Sequence, residues 1–118
     1  MEIVQLTTTV DSEDRARTMA ESMVAEGLAA CAQVQGPVTS FYRWHGRVDH
    51  AVEWYCHFKT SKQQALRLRN RLVSLHPYEV PEVIVLPIVD GHDPYLAWVA
   101  EETKPTAAAE RSPSPHQP

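Results

Sequence analysis

The sequence predicts an α+β sandwich, and three observations carry that expectation. Strand-like and helix-like segments follow one another as β-α-β-β-α-β, with a short helix at the end. Two helical segments show apolar residues on one side only. One strand-like segment alternates: Val52, Trp54, Cys56 and Phe58 point one way, and Glu53, Tyr55, His57 and Lys59 the other. With 118 residues, 43% of them hydrophobic, the chain has enough apolar material for one core and one domain.

The elements follow in order. Ile3 to Val10 is apolar and β-branched, which suits a strand. Asp11 or Ser12 then caps a helix, with Glu13 and Asp14 well placed in its first turn. Ala16, Met19, Ala20, Met23 and Val24 recur at helical spacing and form its buried stripe, and Gly27 stops it. Ala29 to Gln35 reads as a second strand, punctuated by Gly36-Pro37. Val38 to Trp44 and Ala51 to Thr60 read as a hairpin turning around His45-Gly46-Arg47.

Ser61-Lys62-Gln63-Gln64 has the form of a capping box, S-x-x-Q, and opens the second helix. Ala65, Leu68, Leu72 and Leu75 mark its buried stripe, while Arg67, Arg69 and Arg71 face solvent. This helix must end before Pro77. Val80 to Val89 reads as a strand, and its stretch Val83 to Ile88 is apolar on both sides. Asp93 caps a last helix with Pro94 at its first position, running to about Lys104. The folded domain is taken as residues 1–104. Residues 105–118, rich in Pro, Ala and Ser, are expected to be a disordered tail.

This order is the split-βαβ, or ferredoxin-like, arrangement. Right-handed crossovers put the two main helices on one face of the sheet. The strand that is apolar on both sides implies that the other face is covered too. A partner subunit is the economical cover, so a homo-oligomer is expected, with the last helix folded across a monomer as the alternative.

Several function classes are excluded. A net charge of −4 argues against nucleic acid as a partner. No window of about 18 apolar residues is available to span a membrane. The start, Met1-Glu2-Ile3-Val4, lacks the regions of a signal peptide, and a cytoplasmic protein is expected. Cys31 and Cys56 have no CxxC spacing and are expected to be reduced. No nucleophile motif, phosphate loop or paired-acid motif is present, so no enzyme is expected.

The segment richest in chemistry is His76-Pro77-Tyr78-Glu79-Val80-Pro81-Glu82. Two prolines fix φ twice and hold an imidazole, a phenol and two carboxylates on a stiff connector. Imidazole plus carboxylate is a donor pair for Cu(II), Zn(II) or another divalent ion, so His76 and Glu79 are the candidate metal ligands. A third ligand is open among Glu82, Asp90, His92 and His57. Tyr42, Trp44, Tyr78 and Glu82 are the candidate cleft residues. No cofactor is expected to be obligatory.

The chain resembles the CutA family of divalent-cation-tolerance proteins. The likeness rests on Leu28-Ala29-Ala30-Cys31-Ala32, on Val38-Thr39-Ser40-Phe41-Tyr42-Arg43-Trp44 with Gly46, and on Phe58-Lys59-Thr60. It extends through Leu75-His76-Pro77-Tyr78-Glu79-Val80-Pro81-Glu82 with Leu86-Pro87, and through Tyr95-Leu96-Ala97-Trp98. The resemblance implies a homotrimer of ferredoxin-like subunits, binding or tolerance of divalent metal, chiefly copper, and similarity to the PII signalling trimers. A PII-like trimer that binds a small molecule or a protein, without metal, is the alternative. In this comparison Thr7 stands where bacterial members place a cysteine, and Leu75 where some carry a further histidine. A hydroxyl is a poorer copper ligand than a thiolate, so Thr7 is a weak candidate. Cys31, set between alanines and expected to pack inertly in its strand, is another.

Overall fold

The structure, a computed structural model, describes residues 2–105. The expected tail lies outside them, apart from Pro105. The order is β1 (Ile3–Val10), α1 (Glu13–Ala25), β2 (Cys31–Trp44), β3 (Arg47–Ser61), α2 (Lys62–Leu75), β4 (Val83–Pro87) and α3 (Asp93–Glu102). The four strands form one antiparallel sheet in the order β2-β3-β1-β4. This is the order that the split βαβ unit requires.

The core lies between the sheet and the pair α1 and α2. Leu6, Val10 and Phe58 from the strands meet Met19 and Met23 of α1 and Leu68 and Leu72 of α2. Each such side chain contributes about 1.5–3 kcal/mol when fully buried. Ser12 caps α1 as expected, its hydroxyl accepting from the Arg15 amide at 3.1 Å. Gly27 follows the helix with φ +74°, a conformation that suits glycine. On the opposite face of the sheet, α3 covers one end only. Val99 packs there with Ile3 and Ala30, beside Ile88 and Leu96.

Several expectations are corrected. The second and third strand segments are one strand: the ladder continues past Gly36-Pro37, with a register shift between Gln35 and Val38. A bulge absorbs what reads locally as a break. The hairpin turn has only two residues, His45 (φ 52°) and Gly46 (φ 77°). Two positive φ values in a two-residue turn match the twist of the flanking strands.

The capping box does not form. Ser61 sits at the N-cap of α2 without a side-chain hydrogen bond, and Gln64 is buried, its Nε2 donating to the Thr103 carbonyl at 3.0 Å. Leu75 leaves the buried stripe and is exposed. Arg71 is no free cation, since it makes a two-pronged contact with Glu26 at 3.0 Å. In α3 the N-cap is His92 rather than Asp93.

β4 is five residues long, not ten, and Ile84, Val85 and Leu86 remain 43–44% exposed. The expected cover on both of its faces is therefore not supplied within one chain. β3 pairs with β1 only through Trp54–Ser61, so Arg47–Glu53 pairs with β2 alone. The hairpin end is thus a two-stranded ribbon projecting past the sheet, with Phe41 and Val48 each 73% exposed.

Candidate functional site

The His76–Glu82 connector leaves α2 and crosses the end of the sheet to reach β4. His76 is the C-cap of α2, with extended backbone (φ −74°, ψ 136°), as a residue before proline should be. Both of its ring nitrogens are engaged. Nε2 lies 2.8 Å from the Thr9 carbonyl, which can only accept. Nδ1 lies 3.1 Å from the Tyr78 amide, which can only donate. The partners therefore assign the neutral tautomer with the proton on Nε2, and the one lone pair is taken.

Tyr78 continues the same network. Its ring lies 4.6 Å from that of His76, centroid to centroid. Its hydroxyl donates to Glu53 Oε2 at 2.7 Å, and Glu53 is only 7% exposed. Burial first, then the Glu53 carboxylate, push the Tyr78 phenol well above its usual range, with Asp11 and Tyr42 adding to the effect. The phenol is therefore a donor at any physiological pH.

Sequence reasoning missed Glu53. It reads as one of the outward residues of an alternating strand, and its partner lies 25 positions away. The connector is pinned a second time where the Thr8 hydroxyl donates to the Glu82 carbonyl at 2.7 Å.

The other candidates are dispersed. Glu79 and the Glu82 side chain face solvent. Tyr42 contributes only the smallest part of the upward shift of the Tyr78 phenol, while Trp44 packs edge-on against His45 at the ribbon tip, 5.0 Å between ring centroids. Asp90 Oδ1 accepts from the Gly91 amide, and His92 sits at the start of α3. Cys31 Sγ lies 3.2 Å from the Tyr95 hydroxyl, which burial and the thiol together raise to about 12.

Thr7 and His57 belong to a polar ladder on the sheet face that α3 leaves open. Thr7 Oγ1 is 3.0 Å from His57 Nδ1, and His57 Nε2 is 2.8 Å from Gln35 Oε1. Lys59 donates to Gln33 at 2.8 Å beside them. Burial first, then the Lys59 charge, lower the pKa of His57.

Among the described residues, no group of three His, Cys, Asp or Glu side chains converges as a metal site. Within one chain the donor set thus does not fit a resident divalent ion: the His76 lone pair is occupied, and no second and third donor stand beside it. A groove of about 280 Å³ between α1 and α2 is lined by Met19, Arg71, Leu75 and Pro77 among others. It touches the connector only at Pro77.

The family model described as CutA1 divalent ion tolerance protein matches residues 4–102. The chain belongs to this family. A divalent-cation tolerance protein CutA of Thermus thermophilus is 45% identical over 95 residues, covering 80% of this chain and 92% of that one. The human protein CutA is 38% identical over 96 residues, covering 81% of this chain, which spans 54% of the human protein's length. Among solved structures, CutA1 from Oryza sativa superposes with a TM-score of 0.86 at 31% identity, over 90% of this chain and 97% of that one. CutA1 membership agrees with the resemblance carried by the His76–Glu82 segment and by the fold.

Proposed function

We propose that this CutA1-family chain works in the cytoplasm as a homotrimer that binds divalent cations, Cu(II) foremost, at clefts completed between subunits. The observation that carries this reading is the incompleteness of the single chain. Ile84, Val85 and Leu86 on β4 and Phe41 and Val48 on the ribbon are large apolar side chains left bare at two separate places. Different patches that cover one another head to tail generate a ring where the rotation closes, and the resemblance to the CutA family makes a trimer the ring we propose. Such a ring brings donors of a second subunit towards the connector, where one chain supplies only His76, Glu79 and Glu82. Binding rather than catalysis is the activity proposed, in keeping with a family described by tolerance.

Sedimentation equilibrium gives the first test, with a mass of three chains expected. A stable monomer would remove the clefts and the reading with them. Calorimetry with Cu(II) and Zn(II) on the intact protein and on His76→Ala gives the second. Weaker binding by the variant supports a role for the connector, and equal affinity rules that role out. The engaged state of both His76 nitrogens favours a second reading, a trimer that binds a small molecule or protein without metal. Thermal shifts with metabolites but not with metals would select it.

A further inference from the structure

We propose that Tyr78 is an internal cap that keeps the His76 imidazole from accepting a cation, and that the buried Glu53 carboxylate holds the cap shut. The inference rests on the cation reading above and adds to it a means of control.

A neutral imidazole has one lone pair to offer. In His76 that pair is on Nδ1, because Nε2 carries the proton towards the Thr9 carbonyl at 2.8 Å. The Tyr78 amide, 3.1 Å from Nδ1, stands where a metal ion would have to stand. The same residue is tied down at its other end, where its hydroxyl donates to Glu53 Oε2 at 2.7 Å. Its ring fills the space between, 4.6 Å from the imidazole centroid.

Glu53 is an anchor because it is only 7% exposed and lies at the base of the ribbon, next to Trp54, where β3 begins to pair with β1. Water has little access to replace the phenol there, and a hydrogen bond to a carboxylate is among the stronger ones. Pro77 and Pro81 fix φ on both sides of Tyr78, so the connector has few ways to lift the amide while the phenol stays bound. With the imidazole held to the Thr9 carbonyl, freeing its lone pair requires parting Tyr78 from Glu53. The cap is a two-ended latch: one residue covers the imidazole with its backbone and the carboxylate with its side chain.

The test uses the full chain, with Cu(II) or Zn(II) chloride as the only ligand. Tyr78→Phe keeps the ring and removes the anchor. If the capped form predominates in the native chain, His76-dependent affinity rises about tenfold, since apparent affinity scales with the open fraction. Adding His76→Ala to that variant abolishes the gain. Glu53→Gln, which retains volume and an acceptor, gives a smaller gain and guards against a folding defect in Tyr78→Phe.

A second readout needs no metal. Nitrogen-15 shifts of the His76 ring should report a single tautomer in the native chain and a mixture in Tyr78→Phe. Unchanged ring shifts together with unchanged His76-dependent affinity would overturn the cap and leave the cation reading standing. If no variant, opened or closed, binds metal through His76, the cation reading itself falls and the cap's role falls with it.

Discussion

Gly36→Ala sets two opposing effects against each other, and the structure decides the sign. Replacing glycine by alanine removes freedom from the unfolded chain, which stabilises a protein by about 0.4–1 kcal/mol where the native site accepts a methyl group. Here it does not. A Cβ at position 36 would lie 2.5 Å from Trp54 Cδ1, 2.8 Å from Trp54 Cγ and 3.1 Å from the Glu53 carbonyl. Carbon atoms prefer about 3.5–4.0 Å, so the indole or the bulge must move. Trp54 packs against the main core, and overpacking of this kind costs about 1–3 kcal/mol. The net expectation is a loss of about 1–2 kcal/mol. At a urea dependence of about 1–3 kcal/mol per molar, the midpoint should fall by roughly 0.3–2 M. The assay is urea unfolding at fixed protein concentration, repeated in a Trp54→Leu background. With the indole gone, the penalty should vanish or reverse. A Gly36→Ala protein as stable as the parent, or an equal penalty in both backgrounds, would refute the steric argument.

Other expectations concern the polar network and the core. Tyr78→Phe leaves the Glu53 carboxylate without its donor and should cost about 1.5–3 kcal/mol in the same unfolding assay, with a smaller loss for Glu53→Gln. His57 has its pKa lowered by folding, so its neutral form is favoured in the native state. The associated stability is present above the unfolded pKa of about 6.5 and is lost as pH falls through the lower folded value. Thermal melts across that range should show the loss, and His57→Gln should flatten it. Cys56 is fully buried with its thiol raised to about 11, so iodoacetamide at neutral pH should leave it unmodified by mass spectrometry until the protein unfolds. Leu68→Ala, at a fully buried position facing Phe58 and Leu6 in one cluster, should cost about 2–5 kcal/mol by chemical denaturation.

What the sequence made legible was what depends on near neighbours. The stripe of Ala16, Met19, Ala20 and Met23, the cap at Ser12 and the stop at Gly27 each rest on residues within a turn or two and appear as expected, whereas Val24, expected on the same stripe, is exposed. Misreadings arose where a distant group outcompeted a local signal. Gly36-Pro37 is strong local punctuation, yet the partner strand β3 holds β2 together across it. Gln64 has the spacing of a capping residue, yet the Thr103 carbonyl, 39 positions away, claims its amide.

The candidate site shows the same division. The stiffness of the connector was readable from its two prolines. The partners that decide its chemistry were not, because Thr9 lies 67 positions from His76 and Glu53 lies 25 from Tyr78. Nothing in a single sequence distinguishes an imidazole awaiting a ligand from one whose lone pair is already spent.

The ribbon formed by residues 38–44 and 47–53 has a consequence for how assembly can be watched. Two strands with no third beside them hold together weakly by themselves. Their amides should therefore exchange with deuterium quickly in an isolated chain and slowly once a neighbour lies across them, while amides of β1, flanked on both sides, stay slow throughout. The ratio of the two rates would act as a gauge of subunit association at concentrations too low for sedimentation, recorded residue by residue along the arm proposed to make the contact.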